Sequence, residues 1–176
     1  KLGVPHTILR WDEAQKGNVM AAAREARYRL IADWAKERGI GGVALGHTAD
    51  DIAETFLMRL GRKAGLDGLA AMEVRFERHG VQWTRPLWHQ SREELRAYLR
   101  RHGQDWLEDP TNADPNHDRT RARAVLAAMR PLGIDAEGLK SVAFALRMAR
   151  GALEHYTYEE AQAHVTEDRG DLLIPR

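Results

Sequence analysis

In the first third of the chain, short continuous runs of apolar residues alternate with segments in which apolar residues recur every three or four positions. Short apolar runs at residues 4 to 9 and 42 to 46 are typical of strands, and the second run is typical of a buried one. After each run, apolar residues three or four apart predict helices over 18 to 38 and 50 to 61. This β-α-β-α order predicts an α/β fold with a parallel sheet and right-handed crossovers.

The rest of the chain is predicted to be a hairpin followed by helices. Residues 73 to 86 alternate between apolar and polar around His79-Gly80, which predicts a β-hairpin. Ser91 and Glu94 have the spacing of a capping box and predict a helix after them. The polar segment 106 to 118 is too long for a passive connector. Helices are then expected up to Met129 and from Ala136 onward.

Four titratable groups crowd the start of the helix predicted at 50 to 61. His47, Asp50, Asp51 and Glu54 fall on one side of its first turns, beside the end of the preceding strand. Acids in a first turn are favoured by capping and by the helix dipole alone, so Asp50 has an ordinary explanation as an N-cap. Four such groups exceed that need and indicate a bound cation, either a metal on phosphate or an ammonium group.

Basic residues form two weaker patterns. Arg24 and Arg27 share one face of the first predicted helix and could reach one ligand, although lone arginines are more often surface charges. Between residues 119 and 150, seven Arg or Lys residues stand against two acids. This local excess fits a polyanion partner and a solvated helix face equally well.

Composition narrows the class of protein. The 176 residues are 43% hydrophobic and 30% charged, which is typical of a soluble globular domain. No apolar run approaches the roughly 20 residues of a membrane span, so we expect a cytoplasmic protein with no membrane partner. The chain has no cysteine, which excludes disulfides, thiolate metal sites and cysteine nucleophiles within it.

Six short motifs, in order, resemble the catalytic domain of the tRNA(Ile)-lysidine synthetases, N-type ATP pyrophosphatases of the PP-loop group. The motifs are Ala23-Arg24-Glu25-Ala26-Arg27-Tyr28, Gly46 to Thr55, Arg62 to Leu69, Arg85-Pro86-Leu87, Trp106 to Asn112, and Asp118-Arg119 with Arg121 and Arg123. Each is modest alone, but six in the correct order are highly specific. Lys63-Ala64-Gly65 stands where the family usually has Gly-Ser-Gly.

The resemblance implies a Rossmann-like parallel sheet of the PP-loop ATPase type, incomplete at its N-terminus, followed by a hairpin and a helical C-terminal part. Residues 1 to 130 would be a partial catalytic domain, and residues 131 to 176 a helical linker or the start of a further domain. The family's Ser-Gly-Gly-x-Asp-Ser pyrophosphate loop is absent from this sequence and would lie upstream of Lys1. We therefore expect this chain alone to bind ATP poorly and to be inactive.

The implied reaction joins free L-lysine to C2 of the wobble cytidine of tRNA(Ile) with a CAU anticodon. ATP first adenylates the cytidine O2 and releases pyrophosphate, and the lysine amine then displaces AMP. The implied cofactors are ATP and Mg²⁺, and the implied partners are this tRNA and lysine. The oligomeric state is open, with a homodimer as one alternative.

The resemblance also implies roles for the acidic group. Asp51 and Glu54 would be catalytic, because they would recognise the lysine ammonium and ease its deprotonation. His47 and Asp50 would position the nucleotide, with Asp50 as a ligand of Mg²⁺.

The arginines would handle anions. Arg27, with Arg24 as second choice, would stabilise charge on the phosphates or the leaving group. Arg62 lies in a glycine-rich loop that could approach an anion. Arg119 and Arg123 would close over the nucleotide or hold the tRNA backbone.

Three other functions are compatible with the residues. A 2-thiocytidine synthetase on the same scaffold would use cysteines, which this chain lacks. The group around Asp50 could instead form a metal-dependent phosphohydrolase site. The basic segment 119 to 150 could belong to a non-catalytic RNA-binding module.

Overall fold

The computed structural model describes residues 3–12, 19–70, 72–108 and 117–173. They fall into two compact units, each of which is built from two stretches of the chain. The first unit takes residues 1–46 and 73–86, and the second takes residues 47–72 and 87–176. Each unit is described separately below. Asn18, at the start of the helix predicted over 18 to 38, and the motif residues 109 to 112 lie outside the described residues.

The first unit joins one helix to a small mixed sheet. Its elements are α1 (Val19–Glu37), β1 (Gly42–Ala44), β2 (Arg75–Arg78) and β3 (Val81–Thr84). The strand order is β1-β3-β2, with β1 parallel to β3 and β2 antiparallel to it. The expected α/β class, the helix at 18 to 38 and the hairpin are therefore confirmed, each within a residue or two of its predicted bounds.

The core of this unit is aromatic. Trp83 of β3 is 1% exposed and meets the ring of Tyr28 from α1 edge-on, with ring centroids 4.8 Å apart. Phe76, its cross-strand neighbour on β2, stacks on Trp83 at 6.2 Å. Ala32 and Ala35 are fully buried, so α1 can approach the sheet closely. These contacts attach α1 to the hairpin.

The hairpin turn follows from its two central residues. His79 and Gly80 have positive φ values of 52° and 68°, which a two-residue turn of type I′ requires. Glycine adopts this backbone without strain, and histidine tolerates it better than a β-branched residue does.

The strand predicted at 4 to 9 is wrong, whereas the strand predicted at 42 to 46 is confirmed as a strand but not as a buried one. Residues 4 to 9 form no strand, and Val4 and Ile8 are 72% and 75% exposed. The parallel partner of β1 is β3, which lies about forty residues later in the chain. The run at 42 to 46 gives only a three-residue strand, and it is not buried, because Gly42 and Ala44 are exposed. An edge strand pairs on one side only, and among the described residues β1 has no second neighbour.

The second unit is mainly helical. Its helices are α2 (Ala49–Gly61), α3 (Leu66–Leu69), α4 (Arg92–Arg101), α5 (Asp118–Met129) and α6 (Ala136–His164), and a 3-10 turn at Arg130–Leu132 links the last two. Strands β4 (Thr166–Asp168) and β5 (Asp171–Leu173) pair antiparallel at its end. None of the described helices is long and apolar enough to cross a membrane.

Helix α2 is the centre of this unit. It packs against α3, α5 and α6, and Ile52, Ala53 and Phe56 are buried at these contacts. In the first half of α6, Leu139 and Ala143 are buried, whereas Leu153 of its second half is 58% exposed. The helix predicted at 50 to 61 is thus confirmed, and it has packed neighbours on several sides.

The glycine-rich segment after α2 is partly helical and not an open loop. Lys63 turns the chain with a φ of 57°, and α3 begins after the N-cap Gly65. A Cβ atom added at Gly68 would lie 2.5 Å from the Cβ of Ala64, so this position has no room for a side chain. The carbonyl of Gly68 accepts a hydrogen bond from Arg59 of α2 at 2.7 Å. Close packing therefore explains at least one of the glycines.

Candidate functional site

The N-terminus of α2 is capped by hydrogen bonds between Thr48 and Asp51. Thr48 is the N-cap, and its backbone N–H and its hydroxyl both donate to Oδ2 of Asp51, at 2.9 and 2.8 Å. This is a capping box, with an aspartate in the place of the usual glutamate. The capping role that the sequence suggested for Asp50 is therefore taken by Thr48 and Asp51.

Three arginines converge on the two buried acids of α2. Arg92 of α4 and Arg119 of α5 donate to Oδ1 of Asp51, at 3.1 and 2.9 Å. Arg92 and Arg123 of α5 donate to Oε1 of Glu54, each at 2.7 Å. The acids of one helix thus hold the first turns of two others, and the group behaves as one charged network.

Glu54 is the most deeply buried member of this network. Its side chain is 1% exposed, and both guanidinium groups bind the same oxygen. The other oxygen, Oε2, is also buried, and it accepts no hydrogen bond from the residues that the structure describes. A buried carboxylate oxygen without a donor is costly, so Oε2 is the atom of this site best suited to a ligand that brings one.

The charges around Asp51 favour its ionised form. Burial by itself would raise the pKa of this carboxyl, but the hydrogen bonds from Thr48 and the charges of Arg92 and Arg119 outweigh burial and lower the pKa below its usual value. Burial similarly opposes the charge of Arg92, but its bond to Glu54 and the nearby acids raise the pKa of Arg92 above its usual value. Both groups therefore stay charged at neutral pH.

A cavity of about 410 Å³ opens beside Glu54. Its volume lies in the range of small-molecule sites. Its walls are mostly charged, with four acids and four arginines in balance, together with Leu126 and Ala127. The charged residues are Asp50, Glu54, Glu93, Glu108, Arg92, Arg96, Arg123 and Arg130. A pocket with both signs of charge suits a small ligand that itself carries both signs, such as an amino acid.

Most of the site residues predicted in this unit lie in or beside the network. Asp50 is half-buried and accepts a hydrogen bond from the backbone N–H of Arg92 at 2.7 Å. His47 is half-buried and immediately precedes the N-cap. Arg62, at the end of α2, forms a largely exposed ion pair with Asp118 at 2.7 Å. Arg62 is thus occupied by an acid of the first turn of α5.

Arg119 and Arg123 bind the same acids that were predicted to bind a cationic ligand. They were predicted to contact the nucleotide or the tRNA, and the acids were predicted to bind an ammonium group or a metal. In the structure the arginines and the acids neutralise one another, although the arginine side chains keep 40% and 31% of their surface exposed. The predicted anion contacts therefore remain predictions, and they require that exposed surface.

Arg24 and Arg27 belong to the first unit and are exposed on α1. The guanidinium of Arg24 lies 5.5 Å from the ring centroid of Tyr28 and 3.5 Å from its hydroxyl. Nearby, Arg85 is 3% exposed, and this burial, with a smaller contribution from the charge of Arg24, lowers the pKa of Arg85 below its usual value, against the opposing effect of Tyr28. The roles predicted for Arg24 and Arg27 stay predictions.

The donor atoms here do not form a magnesium site by themselves. Among the described ranges, no group of three or more His, Asp or Glu side chains is arranged to hold a metal ion. Asp50 offers one carboxylate, while its acidic neighbours are bonded to guanidinium groups. The prediction that Asp50 binds Mg²⁺ therefore stays a prediction.

Arg92 is the site residue that sequence reasoning missed. It lies at the first position of α4, directly after the cap Ser91, where the sequence shows only a capping box. Its partners lie 38 and 41 residues earlier in the chain. No local pattern indicates pairs of that separation, so the only signal was the unbalanced charge of the acidic group.

The basic segment is largely neutralised within the chain. Arg119, Arg121, Arg123 and Lys140 each form an ion pair with an acid, and Arg147 lies over the ring of Trp88 at 5.3 Å. The charge excess at 119 to 150 therefore reflects intramolecular pairing to a large extent. This weakens the charge argument for an RNA-binding module.

Comparisons with known proteins agree with the fold and with the motifs. The family described as a PP-loop domain matches residues 1–129. A tRNA(Ile)-lysidine synthase of Ruegeria pomeroyi is 48% identical over 174 residues, which are 98% of this chain and 42% of that protein. A protein of the same name from Bradyrhizobium diazoefficiens is 44% identical over 158 residues, 89% of this chain and 44% of that protein. The chain thus spans less than half the length of these relatives.

A solved structure supports the fold alone. The U34-tRNA thiolase NcsA from Methanococcus maripaludis, with its 4Fe-4S cluster, matches 82% of this chain and 47% of its own, with a TM-score of 0.58. The two sequences are only 18% identical, so the match carries no conclusion about chemistry.

Proposed function

The chain belongs to the PP-loop domain family, and on that basis we propose that it carries the lysine-handling part of a tRNA(Ile)-lysidine synthase. This enzyme would act in the cytoplasm on a tRNA(Ile) with a CAU anticodon, with ATP and free L-lysine as the other substrates. Residues 1 to 130 would form part of its catalytic domain, and residues 131 to 176 would be a helical linker or the start of a further domain. The inactivity predicted for this chain alone stays a prediction.

The observation that carries the proposal is the buried oxygen Oε2 of Glu54, which accepts no hydrogen bond from the described residues. An amine with a pKa of about 10.4 is protonated at neutral pH and has no lone pair for attack. It therefore needs a carboxylate that binds the ammonium form and then accepts a proton from it. Glu54 lines a cavity of about 410 Å³, and its buried Oε2, which accepts no hydrogen bond from the described residues, would be that acceptor.

Asp51 has a supporting role in this proposal. Both of its oxygens are bonded within the chain, Oδ2 to Thr48 and Oδ1 to two arginines. It therefore keeps the start of α2 and the adjoining arginines in place while it adds negative charge near the substrate ammonium. Asp50 and His47 would position the nucleotide beside this region.

Arg119 and Arg123 would serve the anionic partners. Their exposed surface allows each guanidinium to bind a phosphate oxygen while it keeps its acid, since an arginine has five N–H donors. Charge on the departing AMP would be stabilised in this way as the amine attacks C2 of the cytidine. Arg27, Arg24 and Arg62 would contact phosphates elsewhere on the substrates.

The test is lysine incorporation by the protein expressed from the complete gene. Glu54→Gln keeps the size of the side chain but loses the proton acceptor, so it should reduce lysidine formation by about 100-fold or more, with tRNA affinity nearly unchanged. Asp51→Asn should reduce the rate as well. Glu159→Gln changes an exposed acid of α6 and serves as the matched control. Lysine incorporation by Glu54→Gln within a few-fold of wild type would exclude the proposal.

No observation in the structure favours the alternative functions. The comparison with a thiolase supports the fold alone, and the described donor atoms do not assemble a hydrolytic metal site. Metal-dependent phosphatase activity that does not respond to lysine would nevertheless identify such a site in the same assay.

A further inference from the structure

Arg92 contacts all three acids of the first turns of α2. Its backbone N–H donates to Oδ2 of Asp50 at 2.7 Å. Its guanidinium donates through Nη1 to Glu54 at 2.7 Å and through Nη2 to Asp51 at 3.1 Å. One residue thus sets the relative positions of three carboxylates that carry the predicted chemistry.

The position of Arg92 is itself fixed by the chain before it. Ser91 and Glu94 close the start of α4, with the Ser91 hydroxyl oxygen accepting from the N–H of Glu94 at 3.1 Å. The carbonyl of Gln90 accepts from the N–H of Ala49, the first residue of α2, at 2.9 Å. Trp88 is 6% exposed and packs against Phe144 of α6. The guanidinium therefore projects from a backbone that is already held against α2.

The sharing of Glu54 between two arginines decides which oxygen stays available. Arg92 and Arg123 both bind Oε1, and Arg123 does so through Nε. A single arginine facing a carboxylate commonly binds both oxygens through two parallel bonds. Arg123 does not adopt that arrangement here, since Oε2 accepts no hydrogen bond from the described residues and Arg92 shares Oε1 with Arg123. Without Arg92, we expect the fork of Arg123 to take both oxygens of Glu54.

We infer that Arg92 is a positioning residue, which holds Asp50, Asp51 and Glu54 in one arrangement and keeps Oε2 of Glu54 available to the substrate amine. The inference rests on the proposed function for its consequence, since it assigns the amine to this oxygen. Arg92 is assigned a role through the acids it binds, which are Asp50, Asp51 and Glu54.

Two measurements test this inference. The first is the crystal structure of the Arg92→Ala protein, in which the Glu54 carboxylate is expected to rotate so that both of its oxygens face Arg123. The second is steady-state kinetics of lysidine formation by the complete protein, with wild type, Arg92→Ala, Arg92→Lys and Arg101→Ala. Arg101 is exposed at the end of the same helix and lies over Tyr98, so its loss is the matched control.

The kinetic expectation is a change confined to one substrate. The loss of a charged hydrogen bond that orients the acceptor should raise the KM for lysine by about tenfold or more. The KM for ATP should stay within about twofold of wild type, since a general loss of structure would change both constants. Arg92→Lys keeps the positive charge but lacks the guanidinium group that binds two acids at once. It should therefore bind lysine better than Arg92→Ala but less well than wild type.

Each outcome decides between the two claims. A lysine KM of Arg92→Ala close to wild type, or an equal rise for lysine and ATP, would overturn the positioning role. An unmoved Glu54 carboxylate in the crystal structure would do the same without any activity measurement. If the wild-type protein forms no lysidine, the proposed function is wrong, and the crystal structure alone then decides whether Arg92 positions the acids.

Discussion

Arg123→Ala tests whether the arginine network holds the buried carboxylate. Arg123 contributes one bond of 2.7 Å to Glu54, whose side chain is 1% exposed. A hydrogen bond to a charged group contributes about 1.5 to 3 kcal/mol to stability, whereas an abandoned buried charge costs about 3 to 5. Arg92 still binds the same oxygen and Arg123 is 31% exposed, so we expect the lower part of this range, about 2 kcal/mol.

The assay is urea unfolding followed by circular dichroism at neutral pH. With a urea dependence of about 2 kcal/mol per molar, the midpoint should fall by about 1 M. Arg121→Ala is the matched control, because Arg121 lies on the same helix two residues earlier and its ion pair with Asp118 is exposed. Such exposed pairs contribute little, so the control midpoint should stay at the wild-type value.

A double-mutant cycle separates the pair from the helix. In the Glu54→Gln background, Arg123→Ala should cost less than half of what it costs in wild type, because the buried charge is already gone. The reasoning is refuted if Arg123→Ala and Arg121→Ala shift the midpoint equally. It is also refuted if the cost of Arg123→Ala is independent of residue 54.

Three further results are expected from unfolding measurements. The pKa of Asp51 is lowered from 3.8, so its ionised form stabilises the folded protein above that pH, and this contribution is lost as the pH falls through the folded-state pKa. The difference in unfolding free energy between wild type and Asp51→Asn should therefore shrink in acid. A constant difference from pH about 6 to 2 would contradict this. Gly68→Ala should destabilise the protein by about 1 to 3 kcal/mol, because the added Cβ clashes with Ala64. At Gly61 an added Cβ meets nothing within 4 Å, so Gly61→Ala should be neutral or stabilising. Equal effects of the two variants would refute the packing argument. Trp83→Ala removes the central ring of the first unit and should cost about 3 to 5 kcal/mol, and a smaller loss in calorimetry would mean that this core contributes less than its burial indicates.

Features set by neighbouring residues were predictable from the sequence. The capping box at Ser91 and Glu94, the turn at His79-Gly80 and the bounds of α2 depend on contacts within four residues, and each is confirmed. The motifs also led to the PP-loop family, which the comparisons confirm. Local chemistry thus specified most of the elements.

Features set by distant residues were not predictable in the same way. A short apolar run becomes a strand only if a neighbouring strand accepts its hydrogen bonds, and none of the described residues pairs with 4 to 9. The acids of α2 predicted a bound metal or ammonium group, which stays a prediction, and nothing local revealed that Arg92 and Arg123 bind Glu54 from 38 and 69 residues away. The sequence therefore indicated the acidic group, and the structure identified the arginines that bind it; its role as a site stays a prediction.

The distant origin of these arginines has a consequence for folding. Glu54 receives both of its arginine hydrogen bonds only after α4 and α5 have packed against α2, because each of these helices supplies one of them. Closing chain segments of this length is slow compared with forming α2 itself. We therefore expect the pocket, whose walls include residues of α2, α4 and α5, to be completed late in the folding of the second unit.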